Sequence, residues 1–121
     1  MDEKKSLDDW AEEIFAWAKR KGWWNNSNLN DKNLVAAKLC LIHSEVSEAL
    51  EALRDGEIDM LVKDGKPEGL VTELADTVIR ILDLDAALRA QGVTKSSVLD
   101  AVRTKMDYNE HRPYQHGGRA L

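Results

Sequence analysis

The sequence predicts an all-α fold, a four-helix bundle whose core is completed by oligomerisation. Apolar residues recur at three- and four-residue steps through long segments, the signature of helices with one buried face. Gly22, Gly56 and Gly92 stand where three of those patterns stop. The chain has 121 residues, 43% of them hydrophobic and 32% charged, which fits one compact domain over 1–121. A helical chain this short often finishes its core against a second copy.

The first predicted helix runs from Leu7 to Lys21, with Leu7, Trp10, Ile14, Trp17 and Ala18 along one side. Spacing makes Trp10 and Trp17 core residues. The polar stretch NNSNLND then forms a loop able to cap the next helix. The second helix spans Lys32 to Arg54, with an inward stripe of Val35, Leu39, Ile42, Val46, Ala49 and Leu53. Residues 55–67, DGEIDMLVKDGKP, carry turn residues at both ends and form a connector, in which EIDMLV reads as a short extended piece. The third helix covers Glu68 to Gln91, with Leu70, Leu74, Thr77, Ile81, Leu84 and Leu88 inward, and Gly92 follows it. Ser97 and Asp100 have capping-box spacing and open a fourth helix that reaches Asn109. Beyond about residue 110 the tail, ending RPYQHGGRAL, is basic and irregular.

Charge and cysteine content narrow the class. A net charge of −5 argues against a nucleic-acid polymer as partner. It does not argue against a single nucleotide, because a divalent cation reverses the local field. Cys40 is the only cysteine, so no intramolecular disulfide forms and a reducing compartment is expected. Its position reads as buried and inert. The opening MDEKKSLDDW lacks the apolar run of a signal peptide, and no stretch reaches the roughly 20 apolar residues of a membrane span. The expectation is a cytoplasmic protein without a membrane partner.

Two acidic pairs carry the chemistry. Glu45-x-x-Glu48 lies on the second helix and Glu73-x-x-Asp76 on the third. Residues three apart share a helix face, so each pair can address one object. Two helices joined by a connector run antiparallel, and a single register sets Glu48 opposite Glu73 and Glu45 opposite Asp76. Each pair alone is an ordinary acidic edge on an amphipathic helix. Four opposed carboxylates, however, repel unless protons, basic groups or cations intervene. Hard oxygen ligands on rigid helices suit Mg²⁺, with Mn²⁺ a possible substitute. The Glu-x-x-His motif of di-iron bundles is absent from the chain. The same register predicts a Lys38–Asp83 ion pair and sets Arg80 opposite Leu41.

These residues and their surroundings, LIHSEVSEALEALRDG, DGKPEGLVTELADTVIRILDLDAAL and KMDYNEHRPYQHGGRAL, resemble MazG-like all-α nucleoside triphosphate pyrophosphohydrolases. Residues 38–119 carry the resemblance. One departure is Ser44, where many members of that family have an acid. The resemblance implies Mg²⁺ held by Glu45, Glu48, Glu73 and Asp76. It implies attack of water on the α-phosphorus of a (deoxy)nucleoside triphosphate, releasing monophosphate and pyrophosphate. Glu48 is the favoured base, with Glu45 the other catalytic candidate. It also implies a homodimer or homotetramer with sites near subunit interfaces, and a role in clearing surplus or non-canonical nucleotides. A dUTPase-like or phosphoribosyl-ATP pyrophosphohydrolase activity is the nearest alternative. A helical module that only senses nucleotides or binds a protein is the non-enzymatic one.

A triphosphate needs further cations, and the chain offers Lys105, Asn109 and Arg112 on the fourth helix and just after it, with Tyr108 beside them and His116 and Arg119 in the tail. For the base, Trp23 and Trp24 in KGWW are the stacking candidates. His43 faces away from Glu45 and is expected to be structural or interfacial.

Overall fold

A computed structural model describes residues 4–114. Four helices and one small hairpin follow in the order α1 (Leu7–Arg20), α2 (Lys32–Arg54), β1 (Leu61–Lys63), β2 (Lys66–Glu68), α3 (Leu70–Ala90) and α4 (Val98–Glu110). Capping residues set the helix starts. Ser6 Oγ accepts from the Asp9 amide at 3.1 Å while Asp9 returns a bond to the Ser6 amide, closing a capping box on α1. Asp31 caps α2 through the Asn33 amide at 2.9 Å, and Ser97 with Asp100 repeats the box on α4. The described helices include none long and apolar enough to cross a membrane.

The connector departs most from a purely helical fold. β1 and β2 pair antiparallel with Leu61 opposite Glu68 and Lys63 opposite Lys66. Asp64 and Gly65 turn the hairpin with φ of 51° and 77°, the two positive values that a two-residue type I′ turn requires. Because β2 takes Lys66–Glu68, α3 starts at Leu70, two residues later than its pattern suggests. Its first amides find partners in the connector: the Leu70 N–H donates to Glu57 O at 2.8 Å and the Val71 N–H to Ile58 O at 3.2 Å.

Gly69 makes that docking possible. Its φ is 106°, and a Cβ there would stand 2.2 Å from the Asp59 carbonyl oxygen. We expect Gly69→Ala to cost about 3 kcal/mol from backbone strain plus overpacking, read as a fall in Tm. Gly56→Ala is the control. Gly56 also has positive φ, but a Cβ there meets nothing within 4 Å, so the cost should stay near ~1 kcal/mol.

Helix α3 is the central element. α2 lies antiparallel along one side and α1 packs along another, while α4 leans lightly on α1. Ala11 meets Leu82 and Ala86 in one core cluster, joined by Leu7, Trp10, Ile14 and Phe15. The other cluster gathers Leu84, Ala87 and the loop residue Leu29, with Phe15, Trp24, Val35 and Ile42 around them. The small residues let α1 approach α3 closely. Gln91 ties down the loop, accepting from the Leu29 amide at 2.7 Å and donating to Ser27 O at 3.0 Å.

Several expected core positions are open. Leu39, Val46, Leu53 and Leu74 are each about half exposed, at 48%, 51%, 50% and 49%. The physical reason is that α2 packs on α3 alone, so only part of each broad apolar stripe is covered within the chain. Cys40, expected to be buried, is exposed because it sits on the uncovered side of α2. Trp17, expected in the core, is also exposed. His43 is exposed on α2, and Glu51 pairs with Arg54 as an ordinary surface acid.

Candidate functional site

Glu45 on α2 and Glu73 and Asp76 on α3 each offer a carboxylate oxygen, and these oxygens lie within 4.8 Å of one another. Glu45 is buried, at 8% exposure, and the other two are half-buried. The antiparallel register brings them together as the spacing requires. Glu48 is exposed and lies outside this tight group, yet among charges it acts most strongly on Glu73, just as Glu45 does on Asp76.

Burial first, and then the neighbouring carboxylates, push the Glu73 carboxyl above the ordinary glutamate range. Asp76 is raised by burial and by Glu45, with Arg80 and Lys66 working in the opposite direction. Two carboxylates can bond to each other only through a shared proton. Ionised, they leave Glu73 Oε2 buried without a hydrogen-bond partner, a condition shared among described residues by Asp8 Oδ1 and Thr72 Oγ1. Three converging carboxylates with one orphaned oxygen are a donor set suited to a hard divalent cation.

Two basic groups border the acids. Arg80 donates from Nε to Glu45 Oε1 at 2.7 Å. One turn further along α3, Asp83 does not pair directly with Lys38. Its Oδ1 instead accepts from the Trp24 indole N–H at 2.9 Å, and Lys38 Nζ sits 4.4 Å from the centroid of the same ring. The register expectation fails in detail because Trp24, arriving from the loop, inserts between the two charges. Arg80 and Leu41 do share the small crevice that Lys38 and Asp83 line.

An open cavity of about 550 Å³ adjoins the acids, lined by Glu45, Asp76, Ile79 and Arg80 on one side. Trp10, Glu13, Ile14, Trp17, Arg20 and Trp23 form the other wall. The end of α1 builds that wall. Gly22, at φ 82°, lets the Trp23 N–H reach back to Ala18 O at 3.1 Å. That turn folds Trp23 edge-on against Trp17, ring centroids 4.8 Å apart. Of the two stacking candidates, Trp23 therefore reaches the cavity. Trp24 packs edge-on to Phe15 at 6.0 Å and anchors the loop. Trp10 packs against the core with one side and lines the cavity with the other, while Trp17 lines the cavity and is exposed. Their seven-residue spacing shows a shared face but not whether that face is covered.

The fourth-helix candidates stand elsewhere. Lys105 Nζ lies 4.8 Å from the Tyr108 ring centroid and the Arg112 guanidinium 5.7 Å from it. Asn109 Nδ2 approaches Met106 Sδ at 4.0 Å. Lys105 and Tyr108 border a separate cavity of about 660 Å³ with Ser96, Asp100, Ala101 and Thr104. Within one chain this group does not join the acids. His116 and Arg119 lie outside the described residues. Comparison with known proteins returns no match, whether to a family model, a curated protein or a solved structure.

Proposed function

We propose that this chain is a divalent-metal-dependent pyrophosphohydrolase of (deoxy)nucleoside triphosphates, a MazG-like house-cleaning enzyme of the cytoplasm. The observation that carries the reading is the partly buried acidic group, which has an orphaned Glu73 oxygen and whose Glu45 and Asp76 line a tryptophan-walled cavity. Glu45, Glu73 and Asp76 would hold the cation, Mg²⁺ or Mn²⁺, with Glu48 at the rim. A cation there offsets phosphate charge and makes a coordinated water more acidic. Glu48 takes the proton of the water that attacks the α-phosphorus. Trp17 and Trp23 give the base an apolar slot, a role open to any base because every base has a π-face.

The exposed apolar residues support a homo-oligomer. Leu39, Val46, Leu50 and Leu53 on α2 and Val71, Leu74 and Val78 on α3 are each about half exposed, more apolar surface than a small monomer ordinarily leaves open. Light scattering on the purified chain should read a dimer or tetramer mass; a monomer would remove this part of the proposal.

Pyrophosphate release from a panel of canonical and modified nucleoside triphosphates tests the activity. We expect release with Mg²⁺, none with EDTA, and a loss of about 10²-fold or more in Glu48→Gln. Release that survives EDTA would overturn the reading.

A further inference from the structure

We propose that Arg80 is a resident counter-cation that holds Glu45 until the cation and triphosphate arrive, and then turns to bind the triphosphate. The proposal rests on the pyrophosphohydrolase reading and adds to it a residue that the acidic motif does not contain. Arg80 lies one helical turn beyond Asp76, on the same stripe of α3. It spends one donor, Nε, on Glu45 Oε1 at 2.7 Å. Its terminal amino groups make no hydrogen bond or ion pair with any described residue, and its side chain keeps 36% of its exposure while the Glu45 side chain keeps 11%. The guanidinium is tied to the acids through Nε, and the partly exposed side chain lines the cavity that Glu45 and Asp76 also line.

Charge balance gives this geometry its consequence. Glu45, Glu73 and Asp76 concentrate negative charge, and Arg80 acts on Asp76 and Asp83 as well as on Glu45. A positive charge beside a carboxylate competes with any second cation for it and repels that cation. A triphosphate reverses the preference. Its oxygens offer a guanidinium the forked, doubly hydrogen-bonded contact that the single Nε bond to Glu45 does not. Arg80 thus weakens binding of the metal alone and strengthens binding of metal with nucleotide. The pairing would keep a bare cation from filling the site before substrate.

Mn²⁺ titration in the absence of nucleotide, followed by electron paramagnetic resonance, tests the first half. Binding of a non-hydrolysable triphosphate analogue in Mn²⁺ tests the second. For Arg80→Gln we expect Mn²⁺ alone to bind about tenfold tighter and the analogue about tenfold weaker. Arg80→Lys keeps the charge but loses the fork, so Mn²⁺ affinity should return to the wild-type value while analogue binding stays weak. The two variants separate charge from shape even if one of them folds poorly. If wild type binds Mn²⁺ and releases pyrophosphate but Mn²⁺ affinity is unchanged or weaker in Arg80→Gln, the Arg80 proposal alone falls. If wild type binds no Mn²⁺ even with the triphosphate analogue present, the pyrophosphohydrolase reading falls and takes this proposal with it.

Discussion

Glu73→Gln should raise the Tm of the protein in EDTA while reducing Mg²⁺-dependent pyrophosphate release by about 10²-fold or more. Both effects have one cause. Glu73 is held among Glu48, Asp76 and Glu45 with an oxygen buried and unpartnered, so its ionised form is costly without a cation. An amide of the same shape removes the repulsion and can donate to a neighbouring carboxylate. It is also a poor ligand for a hard cation. A variant that is destabilised, or fully active, would contradict this account of the site.

The pH dependence follows with a definite sign. The folded-state value of Glu73 lies above its ordinary 4.5 and that of Asp76 above 3.8, both raised first by burial. A raised carboxyl binds its proton more tightly folded than unfolded. Its stabilising contribution is therefore complete below the ordinary value and is lost as pH rises through the raised one. In EDTA, wild-type Tm should fall across that interval, and the slope should flatten in Glu73→Gln. Glu45 contributes through its bond to Arg80. It is buried and holds Arg80 at 2.7 Å, so Glu45→Ala should destabilise by about 2 kcal/mol through the lost charge-assisted bond. Three neighbouring acids thus divide into two that strain the metal-free fold and one that supports it.

How far the sequence could be read depends on which physics is local. Helix limits follow from Ser6, Asp31 and Ser97 and from Gly22, Gly56 and Gly92, because caps and stops are chosen within a few residues. The meeting of Glu45 with Asp76 is legible because antiparallel helices impose a register. The direct Lys38–Asp83 pair is not, since nothing in helix spacing says that Trp24 will come from the preceding loop to take the acceptor. Trp10 and Trp17 share a face with Ile14, and spacing alone does not say that this face stays open to a cavity. Leu39, Val46 and Leu74 look like core for the same reason. Periodicity reports which face is apolar, and covering it takes a partner that one chain's pattern does not contain. Gln91 as a loop clamp leaves no local signal, because its partners lie more than 60 residues away.

Asp85→Ala should be among the most destabilising single substitutions in the described chain, at about 3 kcal/mol or more. Asp85 is only 6% exposed and lies deep in α3, where a lone charge would be costly. Two attachments compensate it. Arg89, one turn on, approaches Oδ2 at 3.1 Å, and the Val98 amide donates to Oδ1 at 3.1 Å. Val98 is the first residue of α4, so this carboxylate joins the end of the central helix to the beginning of the last. Truncation leaves the Arg89 guanidinium and the Val98 amide unpartnered at once. It also removes a principal tie for α4, a helix that itself contributes no buried residue. Thermal unfolding should show a Tm lower by about 10 °C. Amide exchange should show α4 losing protection before α3 does. Asp85→Asn is the informative companion, because an amide oxygen still accepts from Val98 while the ion pair to Arg89 is gone. If Asn restores α4 protection but not Tm, the backbone bond positions α4 and the ion pair supplies the stability. If Ala itself leaves both unchanged, α4 is held by its contact with α1 and the Asp85 attachment is incidental.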